Sequence, residues 1–214
     1  MSNYSKIAHR LVQNWKLYRR DFLWRHDPSP YKIMVAEFML QRTKAEQVEP
    51  VFKNFLTRYP DLCKLAKARE KSVARFTNNL GLHKRGKNFT LAAKYIVKHY
   101  QGAFPSGRQA LLGIPGIGDY VAGAILAVCF NKPEYVIDAN IARFINRYYG
   151  LGLKGEIRRK KQIVDKAKKL FNYSDTKNLL FALLDFTALV CKPLKPLHEN
   201  CLLRKTCKYN IESK

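Results

Sequence analysis

The sequence predicts an all-helical fold. Across most of the 214 residues, apolar side chains recur every three to four positions, the spacing of one face of an α-helix. No stretch alternates apolar and polar residues as a half-buried strand does, and no internal repeat is present. Between Leu111 and Asp138 two apolar helical patterns are interrupted by Gly113, Pro115, Gly116 and Gly118. Glycine and proline at that density cannot continue a helix, so the stretch reads as helix, tight hairpin, helix.

Composition narrows the class. Hydrophobic residues make up 47%, which predicts a globular chain with a sizeable core. Lys and Arg number 40 against 16 acidic residues, a net charge of +24. Such an excess points to a polyanion, and nucleic acid is favoured over membrane because no run of 18 apolar residues occurs. A thermophile-like surface would bring Glu along with Lys, and Glu is scarce here. Met1–Arg10 lacks an apolar signal region, which predicts an intracellular protein in which disulfides are not expected.

In chain order, residues 4–21 read as a helix with an apolar stripe at Ile7, Leu11, Val12 and Trp15. Asp27-Pro-Ser-Pro30 breaks the chain. The next helix, 31–41, is mostly apolar but contains Glu37. A carboxylate there is either paired, with Arg25 or Arg42 for example, or needed in a pocket. Helices are predicted over 45–58, 61–68, 71–80 and 88–100, with a basic, glycine-marked connection at 78–87. In that connection Leu82 is either an apolar wedge for a base stack or packing beneath the loop. At the hairpin, amides opening the second helix are available to an anion, a DNA phosphate in so basic a chain, although an ordinary turn is the simpler account. Asp138 stands at the N-cap position of a following helix, which alone explains an aspartate there. Helices are expected over 156–171 and 178–190. Cys63 and Cys129 fall in helical patterns and read as buried small hydrophobes. The tail carries Cys191-x6-His198-x2-Cys201-x5-Cys207, a metal-ligand pattern unless it is a free-thiol tail.

From Arg20 to Cys207 the chain resembles the helix-hairpin-helix DNA glycosylases of the endonuclease III type. The matching pieces stand in the family's order: Arg20-Asp-Phe-Leu-Trp-Arg25, Glu37-Phe-Met-Leu-Gln-Arg-Thr43, Leu112-Gly-Ile-Pro-Gly-Ile-Gly118, Val136-Ile-Asp138-Ala-Asn140, Asp185-Phe-Thr-Ala-Leu-Val-Cys191 and the tail cluster. The resemblance implies two helical domains with double-stranded DNA in the cleft between them. One, 22–134, is a six-helix barrel with the hairpin at 111–128; the other, 1–21 plus 135–214, carries the cluster loop 191–207. It implies a monomer that flips a damaged or mispaired nucleotide out of the duplex. Asp138 is then the carboxylate that stabilises positive charge on the sugar and orients water, and Glu37 lies near the flipped base. Gln41 and Leu82 would fill the vacated space, Arg42 would meet the orphan base or a phosphate, and Asn140, His83, Lys84, Gly113, Gly116 and Gly118 would face DNA. The carbonyls of Leu112, Ile114 and Ile117 would hold a monovalent cation bridging to a phosphate.

Tyr120 stands where bifunctional relatives have a Schiff-base lysine, so the resemblance implies base release without strand cleavage. With Gln41-Arg-Thr43 and Asp185-Phe-Thr-Ala188, Tyr120 is similar to the archaeal-type glycosylases for thymine or uracil opposite guanine. The rival branch, adenine glycosylases acting opposite 8-oxoguanine, shares Glu37 and Gln41 but has a small Ser at that place and a further C-terminal domain, whereas this sequence stops at Lys214. A DNA-binding protein without activity is the alternative from another class. The family's cluster pattern has four cysteines holding [4Fe–4S]. Here His198 replaces the second, which implies a cluster with one imidazole ligand, or a Cys3His zinc site, or no metal.

Overall fold

The computed structural model describes residues 2–78, 80–81 and 86–212. All regular structure among these is helical: α1 (Asn3–Gln13), a 3-10 turn (Trp15–Leu17), α2 (Leu23–His26), α3 (Pro30–Leu40), α4 (Ala45–Arg58), α5 (Leu62–Ala66), α6 (Glu70–Asn78), α7 (Gly86–Tyr100), α8 (Arg108–Leu112), α9 (Asp119–Cys129), α10 (Ala139–Tyr148), α11 (Lys161–Phe171), α12 (Thr176–Leu189) and α13 (Lys208–Glu212). The chain divides into two compact units, Met1–Arg20 with Asn131–Lys214, and Asp21–Phe130. None of the described helices is long and apolar enough to cross a membrane.

In the first unit α12 is the central element. It is apolar nearly all round, with Leu179, Leu180, Ala182, Leu183 and Phe186 buried, the pattern of a helix surrounded by others. It packs on α1 and α10. Phe186 meets the rings of Tyr18 and Phe144 edge-on. Asp185 on this helix is fully buried. It accepts hydrogen bonds from Trp15 Nε1 (2.9 Å), Arg20 N (3.0 Å) and Arg20 Nε (2.8 Å). That set ties the N-terminal twenty residues to the C-terminal half.

The same tie explains why the first helix is shorter than its periodicity. α1 ends at Gln13 rather than running to 21. Asn14 Nδ2 donates to Arg10 O at 2.8 Å, a carbonyl that also accepts the Asn14 amide at 3.3 Å, so the helix is closed by this residue. The chain then turns so that Trp15 and Arg20 reach Asp185. The expected helix over 156–171 starts only at Lys161. Gly155 has φ +74°, and the Glu156 carboxylate accepts the Arg158 amide at 3.0 Å, which holds a turn where the helix was expected.

In the second unit α3 is the buried helix. Ser29 caps it and Pro30 occupies its first position. Ile33, Met34, Val35, Ala36, Phe38 and Met39 are buried, and α3 packs on α4 and α9. Around it lies an aromatic cluster in which Phe89 meets Phe38 and Phe55, and Phe55 meets Tyr59 and Phe76. Cys63 is exposed and Cys129 is half-buried, so neither is the core thiol expected from sequence. The short α5 buries Leu62 and Leu65 and leaves Cys63 on its outer side.

Candidate nucleic-acid and catalytic site

The hairpin belongs to the second unit. It joins α8 to α9 through two tight turns, Ile114 N to Leu111 O (3.0 Å) and Ile117 N to Ile114 O (3.1 Å). Ile114 and Ile117 anchor it in the core. Gly116 has φ +85°, and a Cβ there would lie 2.9 Å from Asn88 Cβ and 3.1 Å from Phe38 Cζ. Only glycine fits, on conformation and on space. A Cβ at Gly118 would meet nothing within 4 Å. Gly118 is the N-cap of α9 and supplies no side-chain cap, so the first amides of α9 keep their donors available to an anion. Gly116→Ala is therefore expected to cost at least about 1–2 kcal/mol from the left-handed backbone alone. Gly118→Ala should leave stability within about 0.5 kcal/mol. Urea unfolding of the two variants checks this.

Glu37 sits in the same unit, buried on α3, with Arg25 also buried. Tyr120 is half-buried in the first turn of α9. Gln41 and Arg42 follow the end of α3, and Arg42 is an exposed non-glycine with φ +62°. Thr43 Oγ1 fastens this turn to Leu80 O at 3.4 Å, beside the connection that follows α6. Leu82, His83 and Lys84 lie outside the described residues.

Asp138 belongs to the first unit and does cap α10. Its Oδ1 accepts Ile141 N at 2.7 Å. Its Oδ2 accepts Asn140 Nδ2 at 3.0 Å. Asn140 Oδ1 in turn accepts Arg143 NH1 at 2.8 Å, and the Arg143 guanidinium also donates to Cys191 O (2.9 Å) and Thr187 O (3.0 Å). The carboxylate is thus fixed at both oxygens and connected through Asn140 and Arg143 to the end of α12. Burial pushes its pKa above the usual carboxylate range, against the hydrogen bonds from Ile141 and Asn140 and the charge of Arg143, which pull it down. Sequence reasoning missed Arg143. The signal was present, since residues 140 and 143 share one face of a helix.

The tail residues Cys191, His198, Cys201 and Cys207 all line one pocket, together with Phe144, Tyr148, Phe186 and Tyr209. Burial raises the Cys201 thiol to about 11 and also raises Cys207, with the neighbouring thiols adding to both shifts. Arg147 NH1 lies 3.8 Å from Cys191 Sγ and donates to Lys192 O (2.6 Å), while NH2 donates to Pro193 O (2.5 Å), which holds the loop. His198 stacks on Tyr209, whose ring also carries the Arg147 guanidinium at 4.8 Å. No three His, Cys, Asp or Glu side chains among the described residues converge on a point that would hold a single ion. Zinc needs sulfurs about 2.3 Å from one centre. Three thiols and an imidazole lining one pocket are a donor set suited to a metal ion or an iron–sulfur cluster.

The described residues thus hold a glycine-built hairpin opening an uncapped helix, and an aspartate fixed at both oxygens at another helix start. The chain belongs to the HhH-GPD superfamily of base excision DNA repair proteins, whose model matches residues 35–172. It is 32% identical over 196 residues to a thymine/uracil-DNA glycosylase of Methanothermobacter thermautotrophicus, covering 91% of this chain and 89% of that one. It is also 32% identical over 211 residues to an adenine DNA glycosylase of Buchnera aphidicola subsp. Acyrthosiphon pisum, covering 97% of this chain and 60% of that one. The solved structure of a thermostable thymine-DNA glycosylase superposes with a TM-score of 0.90 at 30% identity, covering 98% of this chain and 97% of that one.

Proposed function

We propose that this chain is a monofunctional DNA glycosylase that hydrolyses the N-glycosidic bond of thymine or uracil mispaired with guanine and leaves an abasic site. The observation that carries this reading is Asp138, an aspartate held at both oxygens and raised in pKa by burial. Its free lone pairs serve a sugar presented by a flipped nucleotide. As the bond from C1′ to the base breaks, the bonding electrons leave with the base and positive charge grows on the sugar. The carboxylate stabilises that charge and takes the proton of the attacking water. Tyr120 offers no amine, so no Schiff base forms there and the strand stays intact.

Glu37, buried on α3, hydrogen-bonds the extruded base. Gln41 and Leu82 fill the space it leaves, and Arg42 meets the orphan base or a phosphate. The amides near Gly116 and Gly118, with His83, Lys84, Gly113 and Asn140, grip the backbone. Carbonyls of Leu112, Ile114 and Ile117 hold a monovalent cation; Ile114 O accepts one hydrogen bond, and a carbonyl has a second lone pair to give. Cys191, His198, Cys201 and Cys207 hold a [4Fe–4S] cluster, which braces the loop of Lys192 and Lys195 and takes no part in chemistry. Purified protein is expected to contain about four irons per chain, and His198→Ala to lower that content while the thiols remain.

The identity to an adenine glycosylase supports a second reading, release of adenine opposite 8-oxoguanine. Duplexes carrying G:T, G:U or A opposite 8-oxoguanine separate the two. Release of thymine and uracil is expected; release of adenine alone would overturn the substrate assignment. The rate should also fall as the medium is acidified. Because burial raises the Asp138 pKa, protonation removes the active carboxylate at a pH above the usual range for aspartate, about 3.9. A pH–rate profile under single-turnover conditions locates that limb.

A further inference from the structure

The segment that replaced the start of the expected 156–171 helix is a built loop on the unit that carries Asp138. It begins at the end of α10 with Gly150 (φ +58°) and Gly152 (φ +61°). Asn146 clamps it from α10, donating to Leu153 O at 3.0 Å and accepting Leu153 N at 3.1 Å. Gly155 (φ +74°) then turns the chain, and Lys160 N closes a further turn on Ile157 O at 3.0 Å. Arg158 and Arg159 stand at the tip of that turn, both exposed, with Lys154, Lys160 and Lys161 beside them.

Glu156 occupies an anion site made by Arg158. Arg158 Nε donates to Oε1 (2.9 Å) and Oε2 (3.1 Å), its NH2 to Oε2 (2.5 Å), and its backbone N to Oε1 (3.0 Å). A fork of this shape suits a phosphate as well as a carboxylate. Both side chains are more than half exposed, so the carboxylate is replaceable by an anion arriving from solvent. Asp138 belongs to the same unit, and its carboxylate adds, less than Glu156 does, to the charge that favours the Arg158 cation.

We propose that Arg158 is a DNA-binding residue that grips a backbone phosphate next to the extruded nucleotide, and that Glu156 holds its place in the free protein. This rests on the glycosylase reading above. Arrival of the duplex exchanges one carboxylate for one phosphate on the same fork. The loop is then a second grip on the backbone, carried by the unit of Asp138 and separate from the hairpin.

The test measures binding to a G:T duplex whose thymidine carries a 2′-fluorine that blocks base release. Arg158→Ala is expected to weaken binding about tenfold and to reduce the slope of log affinity against log salt by about 0.9. Glu156→Gln, which removes the competing charge, should tighten binding. Replacing single phosphates by neutral methylphosphonates should reveal one, within a nucleotide of the target, whose loss weakens the wild type and leaves Arg158→Ala unaffected. Unchanged affinity and slope in both variants would overturn the proposal and leave an ordinary surface ion pair. Base release by the wild type from the unmodified duplex tests the glycosylase reading by itself, so the two failures are distinguishable.

Discussion

Asp138→Asn is expected to lose at least about 10³-fold in base release, the range seen when a charge-stabilising or proton-accepting group is removed, and to keep or gain thermal stability. Both halves follow from the same geometry. Asparagine retains an oxygen for Ile141 N, so α10 stays capped. It also removes a charge that burial disfavours. A carboxylate whose folded pKa is raised contributes stability that is fully present below its unfolded pKa and is lost as pH rises through the folded value. At neutral pH the ionised Asp138 is therefore a cost, and the neutral amide relieves it. Asp138→Ala should be as inactive but less stable by about 1 kcal/mol, because the cap is lost as well. Thermal melts beside single-turnover assays check the pair. An active Asp138→Asn would remove the catalytic role from this residue.

The second large effect falls on stability and needs no substrate. Asp185→Ala leaves Trp15 Nε1, the Arg20 amide and the Arg20 guanidinium without their shared acceptor inside the first unit. Removing one partner of a buried pair costs about 3–5 kcal/mol, which lowers the melting temperature by on the order of 10 °C for a chain of this size. Asp185→Asn keeps an acceptor and should fall between. Trp15 fluorescence reports the change directly, since its indole loses its partner. A variant that melts with the wild type would show that the N-terminal segment is held by apolar packing alone.

What the sequence carried was local. The hairpin was legible because its glycines and proline sit together, and the Asp138 cap because capping chemistry spans three residues. What it did not carry was tertiary. α1 stops at Gln13 because Asp185, some 165 residues away in sequence, draws Arg20 to it. The loop before α11 exists because a glutamate meets an arginine two residues on and three glycines take positive φ; the basic run alone reads as helix. Cys63 follows helical periodicity yet lies outside, because a five-residue helix has only one inner side. The link from Asp138 through Asn140 and Arg143 to Cys191 joins pieces that the sequence presents as separate motifs.

The measurement that tests the central claim most directly uses the wild-type protein on a G:T duplex under single-turnover conditions, read before and after alkali and with borohydride present. Release of thymine with an intact strand, cleavage only after alkali, and no protein–DNA adduct trapped by borohydride is the predicted result. A strand cut without alkali together with a trapped adduct would mean that an amine attacks the sugar. Thymine left in place would contradict the account at its root.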